Sequence, residues 1–126
     1  MIDNYFRWMI GLIENSPVTE SPDIAFDRRD DEIGFIRGDI IFKDGSRLHF
    51  REYVRQQDGK SAERYMYAYY YQRADGSMVF RLDNADHYPH LKQFPHHRHT
   101  ESGDVVASEP PDLEKVLSEI ESLISN

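Results

Sequence analysis

Three Asp-Gly pairs divide the centre of this chain into runs of alternating apolar and polar residues, and this pattern limits the fold more than any other feature. The pairs are Asp44-Gly45, Asp58-Gly59 and Asp75-Gly76. Asp-Gly flanked by alternating runs is among the strongest short-range signals for a β-hairpin, because both residues tolerate the positive φ angles of tight turns. Three turns predict four antiparallel strands, at residues 35–42, 47–55, 63–72 and 78–83, with residues 24–29 as a weaker edge strand.

The turns also predict a register for these strands. A two-residue loop at Asp75-Gly76 pairs Tyr71 with Phe80 and Tyr69 with Leu82. A two-residue loop at Asp58-Gly59 pairs Phe50 with Tyr67, and a three-residue loop at residues 44–46 pairs Ile40 with Phe50. Because side chains alternate along a strand, this register gathers the apolar residues on one face. The predicted apolar face consists of Ile36, Ile40, Phe42, Leu48, Phe50, Val54, Tyr65, Tyr67, Tyr69, Tyr71, Phe80 and Leu82.

A helix is predicted at each end of the chain. In the first, Phe6, Met9, Ile10 and Ile13 recur at helical spacing between a cap at Asp3 or Asn4 and a stop at Ser16-Pro17. The second follows Ser108, Pro110 and Pro111, and its apolar stripe is Leu113, Val116, Leu117, Ile120 and Ile124. Such stripes are usually core, so the predicted fold is α+β: a four- to five-stranded antiparallel meander with both helices packed on one face.

Composition favours one soluble domain, at residues 1–126, with 39% hydrophobic and 30% charged residues. The net charge of −8 is uneven, because residues 43–99 hold ten Lys or Arg against seven Asp or Glu, a balance of +3, and the remainder carries −11. A basic centre permits an anionic ligand, and acidic flanks suit a basic partner protein. The lack of cysteine excludes disulfides and thiol chemistry. No apolar run approaches the roughly 20 residues of a membrane span, so we expect a cytoplasmic protein without membrane contact.

The predicted register leaves one carboxylate on the apolar face. Glu52 falls there, opposite Gly38 and beside Tyr65. Burying an unpaired carboxylate costs several kcal/mol, so we expect Glu52 to pair with an Arg or Tyr, and a catalytic role remains the alternative.

The opposite face is basic and aromatic. It collects Arg47, His49, Arg51, Tyr53, Arg55, Arg64, Tyr70 and Arg81. Such a surface can hold phosphates and stack bases, or it can be a solvated face with salt bridges, and the sequence leaves both interpretations open.

Residues 83–99 read DNADHYPHLKQFPHHRH and hold five of the six histidines of the chain. Histidine exchanges protons or binds metals near neutral pH. Pro89 and Pro95 argue against a regular helix or central strand, so we expect a loop that begins where the fourth strand leaves the sheet. A histidine-rich but merely solvated loop is the alternative.

Two chemistries fit this segment. Metal-free cleavage of RNA needs a base, an acid and cations that stabilise the phosphorane, which two histidines with Arg81 or Arg98 could supply. Asp83 or Asp86 could fix an imidazole tautomer by accepting its N–H.

The competing chemistry is metal ligation. His87 and His90 are three residues apart, as are His96 and His99, and the aspartates offer oxygen ligands. This spacing is a weak signal in a loop.

Residues 80–85 (FRLDNA), His87 and residues 94–99 (FPHHRH) resemble the FRYDNAPHH and FPHHKH motifs of the TumE-type toxin family. Residues 34–38, 44–46, 52–54 and 64–67 and the closing helix are similar to that family's order of elements. The resemblance implies the toxin half of a toxin–antitoxin pair, whose partner is typically a small helix-turn-helix protein. The chain departs from the pattern at Asp86, where the family has Pro, at Tyr88, where it has His, and at Leu82, where it has an aromatic residue.

The sequence therefore predicts a toxin that acts on RNA as a metal-independent ribonuclease. The proposed catalytic residues are His96, His97, His87 and Asp83, the substrate-binding residues are Arg81, Arg98, Arg51, Tyr70 and His49, and Glu52 is a secondary candidate. No cofactor is expected; a metal, if bound, would use His87, His90, His96 and His99. The alternative function is a non-catalytic module that binds a metal or a partner through a structural histidine loop. RNA and a second copy of the chain, as a homodimer, stay open as further partners.

Overall fold

The computed structural model describes residues 2–57 and 59–125, which form a seven-stranded antiparallel sheet and two helices. The elements in chain order are α1 (Ile2–Asn15), β1 (Thr19–Arg28), β2 (Ile33–Phe42), β3 (Arg47–Arg55), β4 (Glu63–Gln72), β5 (Met78–Asp83), β6 (His97–Thr100), β7 (Val105–Ala107) and α2 (Leu113–Ser125). Each strand pairs with the next along the chain. The α+β meander with terminal helices is confirmed, but the strand count of four to five is wrong.

The two strands beyond the predicted five, β6 and β7, both follow β5 along the chain. The weak edge strand extends over Thr19–Arg28, where Pro22 is tolerated because only one side of β1 is paired. The histidine segment is not a loop throughout, since its last residues form β6 and pair with β5. Pro95 lies just before that strand, so its missing N–H does not interrupt the pairing.

The register is confirmed at β4–β5, where Tyr71 lies opposite Phe80. It is wrong by two residues in the two preceding hairpins, where Phe50 lies opposite Tyr69 and Ile40 opposite Leu48. The first turn closes one residue earlier than predicted, with the N–H of Phe42 bonded to the carbonyl of Ser46 at 2.8 Å. A shift of two residues keeps each side chain on its predicted face.

The predicted turn at Asp58-Gly59 is a separate case, because Asp58 lies outside the described residues. The strands on either side end at Arg55 and resume at Glu63, so the connection is longer than a two-residue loop. Next to this connection Val54 lies opposite Arg64, a shift of one residue, and a bulge between Tyr53 and Val54 adds the second residue of the shift.

A bulge near the start of β4 places two residues on the sheet face opposite to the predicted one. Tyr53 lies opposite Met66, but the next residue of β3, Val54, lies opposite Arg64, so the register skips one residue of β4. Tyr65, predicted in the apolar face, is 52% exposed. Arg64, predicted on the opposite face, turns towards the helices instead, because the extra residue reverses the alternation at this end of the strand.

The two helices cover the apolar face and complete one hydrophobic cluster. The buried residues of α1 are Ile2, Phe6, Met9 and Ile13, and those of α2 are Leu113, Val116, Leu117 and Ile120. The start of α1 at Ile2 precedes the predicted caps, so Asp3 and Asn4 lie in its first turn. The cap of α2 is Asp112, whose Oδ1 accepts the N–H of Lys115 at 2.8 Å. Neither helix in the described ranges combines the length and apolarity needed to cross a membrane.

Gly38 makes room for an aromatic ring rather than for Glu52. Phe50 lies opposite it, and Glu52 lies opposite Ile36. A Cβ added at Gly38 would lie 2.4 Å from Cε1 of Phe50. The absence of a side chain is therefore a packing requirement of the core.

Gly38→Ala tests this requirement. Phe50 is fully buried and cannot retreat freely, so we expect the free energy of unfolding to fall by about 1 to 3 kcal/mol in chemical denaturation. Gly11→Ala is the matched control, because a Cβ there meets nothing within 4 Å and alanine favours a helix interior by about 0.5–1 kcal/mol. Equal destabilisation of both variants would contradict the packing argument.

Candidate functional site

The sheet face that the helices leave uncovered, here called the open face, carries two adjacent rows of polar residues across five strands. In one row Asp39, His49, Tyr70, Arg81 and His99 are successive cross-strand partners. In the other the partners are Arg37, Arg51, Ala68, Asp83 and His97. Both rows end at the pairing of β5 with β6, where the acidic and histidine side chains meet.

Asp83 is the centre of this cluster. It is only 4% exposed and lies at the last position of β5. Its Oδ2 accepts a hydrogen bond from Nε of Arg81 at 3.0 Å, and its Oδ1 accepts the N–H of Ala85 at 3.0 Å. These donors hold the buried carboxylate in one orientation.

His97 is the most buried histidine of the cluster, at 1% exposure. Its Nδ1 lies 2.9 Å from the carbonyl oxygen of Pro95, which can only accept, so Nδ1 is the protonated ring nitrogen. Its Nε2 lies 2.8 Å from Oδ1 of Asp83 in a geometry that does not form a hydrogen bond. The structure thus leaves Nε2 as a buried nitrogen without a partner.

His99 shares the same carboxylate from the neighbouring row. Its Nε2 lies 3.7 Å from Oδ2 of Asp83. Burial lowers the pKa of His99, and the Asp83 charge opposes that shift. The nearby Arg81 and the other imidazoles lower the pKa further, which favours the neutral ring.

A cavity of about 240 Å³ opens over these groups. Its lining residues are Arg81, Asp83, Ala85, His87, His97 and His99. Tyr88 packs beside it, with its ring centroid 5.1 Å from that of His97 and 6.1 Å from that of His99. The φ angle of Tyr88 is 61°, a left-handed conformation that is unusual outside glycine. The loop before β6 is therefore held in a specific shape against the cluster.

Two predicted site residues lie on the other side of the sheet. Strand alternation turns Arg98 towards α2, where its terminal nitrogens bond to the Glu119 carboxylate at 3.0 and 2.5 Å. His96 lies just before β6 and bonds through Nδ1 to the hydroxyl of Tyr67 at 2.7 Å. Burial and the nearby Arg64 lower the pKa of His96. These two residues are therefore not part of the cavity.

The remaining predicted residues divide between the cavity and its surroundings. His87 lines the cavity, whereas His90 and Asp86 are exposed and are not among its lining residues. His49, Arg51 and Tyr70 lie along the two rows of the open face. From the predicted set, the structure brings together Arg81, Asp83, His87, His97 and His99, the last of which was predicted only as a possible metal ligand.

Sequence reasoning did not find the groups that orient the cluster. They are the backbone N–H of Ala85, the carbonyl of Pro95 and the ring of Tyr88. A usable signal was present, because Arg81 and Asp83 are two residues apart, as are His97 and His99. Two neighbouring strands with that spacing would place all four side chains on one face.

Glu52 belongs to a separate buried network under α1. It is 0% exposed and accepts hydrogen bonds from the hydroxyls of Tyr5 and Tyr69. Nη1 of Arg64 lies 3.7 Å from its Oε2. Burial raises the pKa of Glu52, and the two tyrosines and Arg64 act in the opposite direction. The contacts match the expected pairing with Arg and Tyr.

Glu52→Gln tests this network by its pH dependence. A carboxyl whose pKa is raised in the folded state binds its proton more tightly there, so it lowers stability once the pH exceeds its unfolded value of about 4.5. We expect the free energy of unfolding of the wild type, relative to Glu52→Gln, to fall as the pH rises from 4.5 towards neutrality. Glu20→Gln, at an exposed position of β1, is the control for loss of a charge. A relative stability that rises with pH would contradict the assignment.

The comparisons with known proteins identify the class of molecule. Residues 9–126 match the sequence family described as Toxin TumE. No curated protein and no solved structure matches the chain. The protein is therefore a toxin component of a toxin–antitoxin pair, and it belongs to the TumE toxin family. Membership implies an antitoxin partner.

Proposed function

We propose that this toxin acts on RNA by cleaving the phosphodiester backbone in the cavity of the open face. The observation that carries the proposal is the meeting of a guanidinium group, imidazoles and an oriented carboxylate, from Arg81, His87, His99 and Asp83, in one cavity. Such groups suit a reaction in which a phosphate gains charge while protons are transferred.

The open face supplies a path for the strand that leads to this cavity. The row that contains Arg81 also contains Tyr70 and His49. The row that contains Asp83 also contains Ala68 and Arg51. Aromatic rings stack on bases and guanidinium groups attract phosphates, without a need for sequence recognition. A single strand laid along the rows would bring one phosphate to Arg81.

Arg81 and His87 have distinct roles in the proposed reaction. Asp83 holds Arg81 through Nε, which leaves the terminal nitrogens of the guanidinium for phosphate oxygens. His87 is exposed at the cavity rim and is placed to exchange a proton with the 2′-hydroxyl or the leaving oxygen. His97 is buried and bonded to a carbonyl, so it does not meet the substrate directly.

The proposed antitoxin is a small helix-turn-helix protein, as the family motifs imply. The residues outside 43–99 carry a net charge of −11, so a basic surface on that partner would complement them. While the antitoxin is absent, the basic open face would be available to bind RNA. The bound antitoxin would cover this face.

Purified protein tests the proposed reaction on a single-stranded RNA. We expect Arg81→Ala and His87→Ala each to lower the cleavage rate by about 10²- to 10⁴-fold, because each removes a group that acts on the reacting phosphate or its protons. His90→Ala is the matched control, since His90 is a neighbouring exposed histidine that does not line the cavity. Its rate should equal that of the wild type.

Induction of the same variants in cells gives the second readout. Growth arrest that needs Arg81 and His87 while RNA stays intact would overturn the ribonuclease proposal and favour a binding module. Arrest and cleavage that are both lost in the two variants, and retained in His90→Ala, would support it.

A further inference from the structure

We infer that Asp83, His97 and His99 bind one divalent transition-metal ion, such as Zn²⁺, at the base of the open-face cavity. One ligand atom from each residue lies within 4.8 Å of the others. The ion binding rests on this geometry, whereas its use in RNA cleavage rests on the proposed function.

The unpartnered nitrogen of His97 is the strongest evidence. Because Nδ1 donates to the carbonyl of Pro95, a neutral ring carries a lone pair on Nε2. That lone pair is buried 2.8 Å from a carboxylate oxygen, an unfavourable contact unless a cation lies between them. A proton shared in a hydrogen bond would require a directional geometry that this pair does not meet. A metal ion bound to both atoms has no such requirement.

The spacing of the donors agrees with coordination of a common ion. Ligands about 2.1 Å from one ion lie about 3 to 4 Å apart, depending on the angle between them. Nε2 of His97 lies 2.8 Å from Oδ1 of Asp83, and Nε2 of His99 lies 3.7 Å from Oδ2, so the two imidazoles approach the two oxygens of one carboxylate at separations near that range. Small rotations of the three side chains would therefore bring them to bonding distance.

The surroundings provide the outer partners that metal ligands usually have. A ligating imidazole commonly donates its other N–H to a carbonyl, as His97 does to Pro95. A ligating carboxylate is commonly hydrogen-bonded in turn, as Asp83 is by Ala85 and Arg81. These contacts fix the donor atoms before any ion arrives.

The donor set selects the class of ion. Two imidazoles and one carboxylate suit Zn²⁺ and similar first-row ions, whereas Mg²⁺ and Ca²⁺ favour oxygen ligands throughout. Three protein ligands leave coordination positions that face the cavity. A phosphate oxygen placed there would also meet Arg81, so ion and guanidinium would stabilise the same charge.

The predicted HxxH pairs do not form this site. His96 lies on the helix side of the sheet, whereas His99 lies on the open face, so these two histidines cannot bind one ion. The residues that do converge are two apart on β6, which places His97 and His99 on the same face. His90 is exposed and lies outside the cavity.

Calorimetric titration of Zn²⁺ into the chelator-treated full chain tests the site. We expect one ion per chain, and His99→Ala and Asp83→Asn should weaken binding by at least the roughly 10- to 100-fold that loss of an outer partner costs. His90→Ala is the matched control and should bind as the wild type does, because His90 is exposed and does not line the cavity. Circular dichroism verifies that each variant is folded, and His99→Ala is the safer ligand variant because its side chain is partly exposed.

A second measurement locates the ion directly. Side-chain ¹⁵N spectra should show Zn²⁺ shifting the ring nitrogens of His97 and His99 and leaving those of His90 and His96 unchanged. Absence of saturable binding, or equal binding by the wild type and both ligand variants, would overturn the inference.

Cleavage assays of the chelator-treated and Zn²⁺-loaded protein separate the two proposals. Cleavage without ion binding would retain the ribonuclease and overturn the metal site. Ion binding at these residues without cleavage would retain the metal site and overturn the ribonuclease.

Discussion

The pairing of β5 with β6 is the interaction on which the candidate site depends. It sets Arg81 opposite His99 and Asp83 opposite His97, so four side chains from distant parts of the sequence meet on one face. Neither strand supplies the cluster alone. β6 is short and polar, and its backbone hydrogen bonds to β5 hold its histidines in place. Loss of this pairing would remove the cavity while most of the hydrophobic core remained.

Strand alternation divides the histidine motif between the two faces of the sheet. His97 and His99 face the open side, whereas Arg98 pairs with Glu119 of α2. Just before the strand, His96 bonds to Tyr67 on the side of the helices. One short motif therefore builds the site and also anchors β6 to the core. Substitutions at His96 and Arg98 would act on the site through the position of β6.

The sequence predicted the faces of the sheet better than its register or its edge. Faces depend only on whether a residue is odd or even along a strand, so Leu48 and Phe50 are buried although their partners were wrong. The register depends on which backbone groups close a turn, and an Asp-Gly pair does not determine that. The bulge that exchanges Arg64 and Tyr65 has no composition signal. β6 has no alternation of apolar and polar residues, and its pairing with β5 is a long-range interaction. The sequence therefore placed His97 and Asp83 in one site but did not predict the strand that joins them.

Tyr88 packs against the cluster at a position where the family resemblance led us to expect a histidine. Its ring lies against those of His97 and His99, so it fills the place of an aromatic imidazole without supplying a nitrogen. Tyr88 therefore contributes packing beside the cavity but no ring nitrogen. His87 then remains as the loop imidazole that lines the cavity. The strands β5 and β6 therefore carry the buried groups of the cluster, and the loop between them contributes one exposed histidine, His87, at the rim of the cavity.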